Sequence, residues 1–168
     1  ACYQTKTNDL MKRISLLAIA LCISLSANAQ IQEAIDRFQF DSSISYDSSI
    51  PSPADFLGYE LGEAYTFHHQ VMAYFEELAR VSDKITFHEY ARTYENRSLN
   101  YAVISSADNH GRLDEIKAQN AIIANDPNSV EIGEEPVVVW MSYNVHGNEP
   151  SSSEAAMQTA YRLVASMD

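Results

Sequence analysis

Positive charge is scarce in this sequence. Its 168 residues carry 11 Lys and Arg against 23 Asp and Glu, a formal net charge of −12. A nucleic-acid binder gains affinity by neutralising phosphates and shows a basic face, so nucleic acid is excluded as an expected partner. Cysteine is almost absent: Cys2 and Cys22 are the two copies, both near the N-terminus, which leaves the rest of the chain without a disulfide or a thiolate metal site. Glycine and proline number five each, too few for a fibrous or low-complexity chain, and there is no internal repeat. A composition 46% hydrophobic and 20% charged is that of a globular domain, and the length suits one.

Long apolar runs are missing too, with one exception that is too short to span a bilayer. Met11 is followed by Lys12-Arg13, then by the mostly apolar stretch Ile14 to Leu25, then by Ser26-Ala27-Asn28-Ala29-Gln30. Charge, apolar run and a small-x-small site in that order predict a secretory signal over 11–29, cut between Ala29 and Gln30. Leu21 before Cys22 argues against a lipoprotein site. Residues 1–10 then read as upstream translated sequence, and the mature chain as exported, periplasmic or extracellular, acidic and without a membrane span.

Residues 30–55 are Ser-rich and end in Ile50-Pro51-Ser52-Pro53, an irregular lead-in finishing in an extended segment. From Thr66, the positions Phe67, Val71, Tyr74, Leu78 and Val81 recur at helical spacing and predict an amphipathic helix. His68 and His69 are adjacent on it and point about 100° apart, so they cannot share one metal from a regular helix. Ile85–Tyr90 and Leu99–Ile104 are β-rich runs around the turn Thr93–Ser98, in which Asn96 suits positive φ. Asn96-Arg97-Ser98 also matches a glycosylation sequon, for which a tight turn is a poor acceptor. His88 falls on a strand face.

Leu113–Ala124 reads as a second helix, with His110 in the loop before it. Pro136–Met141 is apolar without alternation, as expected of a central strand covered on both faces. Its exit leads to Ser151-Ser152-Ser153-Glu154, a capping box opening a helix with Ala156, Met157, Ala160, Leu163, Val164 and Met167 on its apolar side. Strand, polar loop and helix make an α/β unit, and in such folds sites gather where loops leave the carboxyl ends of central strands.

His146 and Glu149 occupy that loop. An imidazole and a carboxylate at this spacing can reach one point, and these donors suit zinc with an open position. Gly147 is expected to permit a tight turn, and Pro150 to keep Glu149 out of the following helix. The plainer alternative is a polar loop in which Glu149 serves the helix dipole and His146 bonds to backbone. A catalytic zinc takes three protein ligands, and this pair supplies two.

His146-Gly147-Asn148-Glu149, between an apolar strand and a helix, resembles the first zinc motif of the M14 zinc carboxypeptidases. Tyr90–Leu99 looks like that family's turn between its first two catalytic-domain strands, with Asn96 in place of a usual glycine. Residues 51–81 are similar to the lead-in and first helix of its exported bacterial members, so the likeness runs from about Pro51 to the chain end. It implies an α/β fold with a mixed central sheet flanked by helices, incomplete here, with 56–168 as the N-terminal part of the catalytic domain. It implies Zn²⁺ held by His146 and Glu149, with Asn148 at a substrate-binding position where pancreatic-type members carry arginine. The third ligand, the general-base glutamate and the arginine for the substrate carboxylate are implied to lie beyond Asp168; neither His88 nor His110, which precede the motif, replaces that ligand. The chain ends within helical sequence with no capping glycine, which supports the same expectation.

The implied activity is hydrolysis of C-terminal residues from peptide or protein substrates. An exported zinc amidase, deacylase or cell-wall peptide hydrolase would share the ligands. A non-catalytic secreted binding module on the same scaffold is the third possibility.

Overall fold

The computed structural model describes residues 43–128, 133 and 136–167, together with Ser15. The expected signal over 11–29 and the segment 1–10 lie outside the described residues, apart from Ser15. The described elements are α1 (Pro53–Leu57), α2 (His68–Val81), β1 (Ile85–Arg92), β2 (Ser98–Ile104), α3 (Ala107–His110), α4 (Leu113–Asn125) and α5 (Ser151–Ala165).

Helix α2 forms where the spacing places it, except that Phe67 is its N-cap and is 56% exposed instead of lying on the buried face. Val71, Tyr74 and Leu78 are its buried residues, one stripe at intervals of three and four. Against that stripe lie Ile50, Ile85 of β1, and Met157, Ala160, Val164 and Ala165 of α5, together the main apolar core. Phe75 extends the packing to the sheet by stacking on Phe87, ring centroids 5.4 Å apart. Tyr74 is fully buried, and its hydroxyl donates to the Pro51 carbonyl at 3.1 Å, which satisfies the one polar atom it carries inward.

Strands β1 and β2 pair antiparallel from Ile85↔Ile104 to Arg92↔Ser98, with a bulge at Tyr90 between Glu89 and Ala91. Their connection closes through Asn96 N–H to Thr93 O and Thr93 N–H to Arg97 O, both 2.9 Å. Asn96 sits at φ 62°, the left-handed position that such a three-residue hairpin loop requires and that asparagine tolerates. The described sheet is therefore two-stranded, and with its helices it forms part of the α/β arrangement the sequence predicts.

Five further local expectations are corrected. Pro136–Met141 pairs with no strand among the described residues: Val137 is 87% exposed and Trp140 82%. β-Branched residues favour an extended chain, but a strand exists only where a neighbour completes the ladder, and β1 and β2 pair with each other alone. Residues 30–42 of the lead-in lie outside the described residues, and from Ser43 onward it is more ordered than its composition suggests. Ser52 and Asp55 form a capping box, Oγ to carboxylate 2.6 Å and Asp55 N–H to Oγ 3.1 Å, so Pro53 starts a helical turn at a position that needs no N–H.

Upstream of that turn, Tyr46 bridges Ser166, Asp47 N–H donates to Ala165 O at 2.8 Å, and Tyr46 stacks on Tyr161. Lys84 Nζ donates to Ser166 O at 2.8 Å, placing a cation at the carbonyl end of α5. The third correction concerns the start of α5: its N-cap is Pro150, with no side-chain cap bond, so Ser151 is inside the helix and the predicted capping box is absent. Fourth, the buried face of α5 is Met157, Ala160, Val164 and Ala165, whereas Leu163 is 47% and Met167 62% exposed. His110 ends the short helix α3 rather than lying in a loop.

Candidate metal centre

The chain leaves the apolar segment and turns sharply before α5. Asn144 lies in left-handed backbone at φ 56°, and Glu149 N–H donates to His146 O at 3.1 Å, closing a four-residue turn with Gly147 and Asn148 at its centre. Gly147 itself is not at positive φ, and a Cβ there would meet nothing within 4 Å. The conformational freedom expected of Gly147 is thus exercised at Asn144.

This turn brings the two predicted ligands together. His146 Nδ1 and Glu149 Oε1 are 3.1 Å apart, with the side chains 70% and 55% exposed. Two ligands at about 2.0 to 2.2 Å from a tetrahedral zinc are separated by about 3.3 to 3.5 Å, so the donor types suit zinc and the two atoms need part by only a few tenths of an ångström to span a zinc edge. Without metal the same atoms form a hydrogen bond, the imidazole N–H donating to the carboxylate. Asn148 is exposed at the tip of the turn.

The loop is tied to α5 at several points. Asn144 Nδ2 donates to Ser153 Oγ at 2.7 Å, and Tyr143 OH donates to Thr159 Oγ1 at 3.1 Å. On the return limb, Ser152 N–H and Ser153 N–H donate to Glu149 O and Pro150 O at 3.3 and 3.2 Å. Thr66, buried at 5% exposure, donates its hydroxyl to Glu154 Oε1 at 2.8 Å. A hydroxyl has one proton, so Tyr59 OH, 3.0 Å from Thr66 Oγ1, is the donor in that contact. Sequence reasoning passes over these residues. Asparagine's tolerance of positive φ was the available signal at Asn144, but the Thr66 to Glu154 bond spans 88 positions and leaves no local pattern.

The other histidines stay apart from the pair. His68 and His69 are exposed on the first turn of α2, and His69 stacks on Phe67. His88 stacks on Tyr101, centroids 5.1 Å apart, and neither ring nitrogen of His110 has a hydrogen-bond partner among the described residues. No group of three His, Cys, Asp or Glu side chains suited to a metal occurs among the described residues. No helix there is long and apolar enough to cross a membrane.

The sequence profile of the zinc carboxypeptidase family, Peptidase M14, matches residues 71–168. The match takes in most of α2, the hairpin, the His146 to Glu149 turn and α5, and the chain belongs to this family of zinc-dependent peptidases. The partial α/β architecture agrees with that membership. Comparison with curated proteins and with solved structures gives no match.

Proposed function

We propose that this chain is the N-terminal portion of an exported zinc metallocarboxypeptidase that hydrolyses C-terminal residues of peptides, and that His146 and Glu149 are two of its zinc ligands. The observation that carries the reading is the 3.1 Å approach of Nδ1 and Oε1 in a turn fixed on α5, within the family match. Zinc, when bound, would polarise a scissile carbonyl and lower the pKa of a coordinated water.

The chain's own part is to hold the ligands. His146 offers a ring nitrogen, Glu149 a carboxylate oxygen at the positive end of α5, and the turn holds both on the surface where a peptide can approach. Asn148, at the tip, is the proposed substrate contact. The third ligand, the general base and the carboxylate clamp are proposed to come from sequence following Asp168. Export is proposed from the 11–29 pattern.

The test is an assay on the product of the reading frame extended past codon 168, using blocked peptides with free or amidated C-termini. Release of the terminal residue from the free-carboxylate peptide alone, lost to a chelator and restored by zinc, is the expected result. Hydrolysis indifferent to the free carboxylate would favour an amidase or cell-wall peptide hydrolase instead. No turnover on any peptide or amide with zinc bound would favour a binding module.

A further inference from the structure

We propose that Asn144 and Ser153 are positioning residues that preset the spacing of His146 and Glu149, with the Ser153 hydroxyl clamping the incoming limb of the loop to α5. The inference rests on the zinc reading above and adds what holds the pair in place. His146 and Glu149 are 70% and 55% exposed, so core packing does not fix their rotamers. Order in such a loop has to come from hydrogen bonds.

Ser153 supplies one through its side chain, and its backbone N–H belongs to the helical turn that starts just after the motif. Its Oγ accepts from Asn144 Nδ2 at 2.7 Å, two residues before His146. Its backbone N–H donates to Pro150 O at 3.2 Å, one residue after Glu149. The side chain of one residue in the first turn of a 15-residue helix therefore holds the chain that enters the ligand turn.

Asn144 acts in two ways at once: its φ of 56° turns the chain, and its amide holds the turned chain to α5. Tyr143, adjacent, reaches Thr159 Oγ1 at 3.1 Å, and Thr159 in turn donates to Ala155 O at 2.8 Å. The incoming limb is thus attached to α5 at residues 153 and 159, about 9 Å apart along the axis. Groups that orient metal ligands in this indirect way typically change affinity by about 10- to 100-fold when removed.

The experiment is a Co²⁺ titration of the full 168-residue chain by visible absorption, with Zn²⁺ competition, for wild type, Ser153→Ala, Asn144→Gly, Ser153→Thr and His146→Ala. Asn144→Gly keeps access to positive φ and removes the amide, at the cost of a freer backbone. Expected are a roughly tenfold loss of affinity in Ser153→Ala and Asn144→Gly, near wild-type affinity in Ser153→Thr, unchanged melting temperatures, and loss of the signal in His146→Ala. Wild-type affinity in Ser153→Ala and Asn144→Gly, with His146→Ala still inactive in binding, would overturn the positioning role and leave the zinc reading standing. A signal insensitive to His146→Ala would overturn the zinc reading instead.

Amide hydrogen exchange on the metal-free chain separates the two further. Faster exchange at Glu149 N–H in Ser153→Ala is expected, and unchanged exchange there would refute the clamp whatever the metal does.

Discussion

Helix α5 carries the loop, so its rotation about its own axis decides where the ligands stand, and Met157→Ala against Leu163→Ala tests that rotation. Six positions along a helix turn it by about 600°, or 240° net, so the two side chains cannot both face the core. Met157 is fully buried beside Leu78 and Ile85, whereas Leu163 is 47% exposed. Truncating a buried Met costs about 2 to 5 kcal/mol, the transfer loss plus the cavity left in a core of few large side chains. For Leu163, about half of a 2 kcal/mol burial is at stake, and alanine returns a few tenths in helix propensity, so the cost is under about 1 kcal/mol.

Urea unfolding followed by helical circular dichroism measures both, with m-values compared to establish that the same surface is being exposed. Against a total stability of about 5 to 15 kcal/mol the Met157 variant should lose a large share of its transition midpoint. A Leu163→Ala loss equal to or greater than that of Met157→Ala would refute the orientation of α5 and with it the placement of the loop.

Alkaline stability should fall above pH 10. Burial, with Tyr161 and Asp55 adding to it, pushes the Tyr74 phenol well above its ordinary value of 10.0. Its stabilising contribution is complete below pH 10 and is lost as pH rises further, because the unfolded phenol ionises there first. Tyr74→Phe should flatten that limb of a pH-resolved melting curve while costing about 1 kcal/mol at neutral pH for the lost bond to Pro51; an unchanged alkaline limb would contradict this. On the acid side the sign reverses. The Ser49 amide and hydroxyl hold Asp47 below its ordinary 3.8, the Ser52 hydroxyl and amide do so for Asp55, and Arg80 holds Glu77 below 4.5. Their contributions are present above those values and disappear as pH falls through the depressed ones, so melting temperature should decline below about pH 4, and a flat acid limb would count against these contacts. Thr66→Val should cost about 1 to 3 kcal/mol, because it leaves Glu154 and Tyr59 without their shared partner, and a neutral result by thermal melting would show that the network is not formed. On the proposed assignment, in which two ligands stand here without a base, the 168-residue chain should turn over no peptide even with zinc; chelator-sensitive hydrolysis would contradict that.

Local chemistry explains which parts of the structure were legible in the sequence. Helix α2 and the hairpin announce themselves because their signals, the 71–74–78 spacing and Asn96 between β-rich runs, are complete within a few residues. The His146 and Glu149 pair was legible for the same reason, since three positions in one loop hold both donors. The run 136–141 reads as a strand by composition, but a strand depends on a neighbour, and none of the described residues provides one. The start of α5 was missed because the first helical residue is decided by Pro150 and by the turn before it, while Glu154 is drawn away to Thr66. Met157 and Leu163 are equally apolar as letters, and only the packing of α2 against α5 separates them.

The most direct test of the zinc assignment is a crystal structure of the zinc-loaded protein with anomalous data collected on both sides of the zinc edge. A single anomalous peak about 2.0 to 2.2 Å from a His146 ring nitrogen and a Glu149 carboxylate oxygen is the predicted result. A peak on His68, His69, His88 or His110, with the 3.1 Å pair left as a hydrogen bond, would contradict the account.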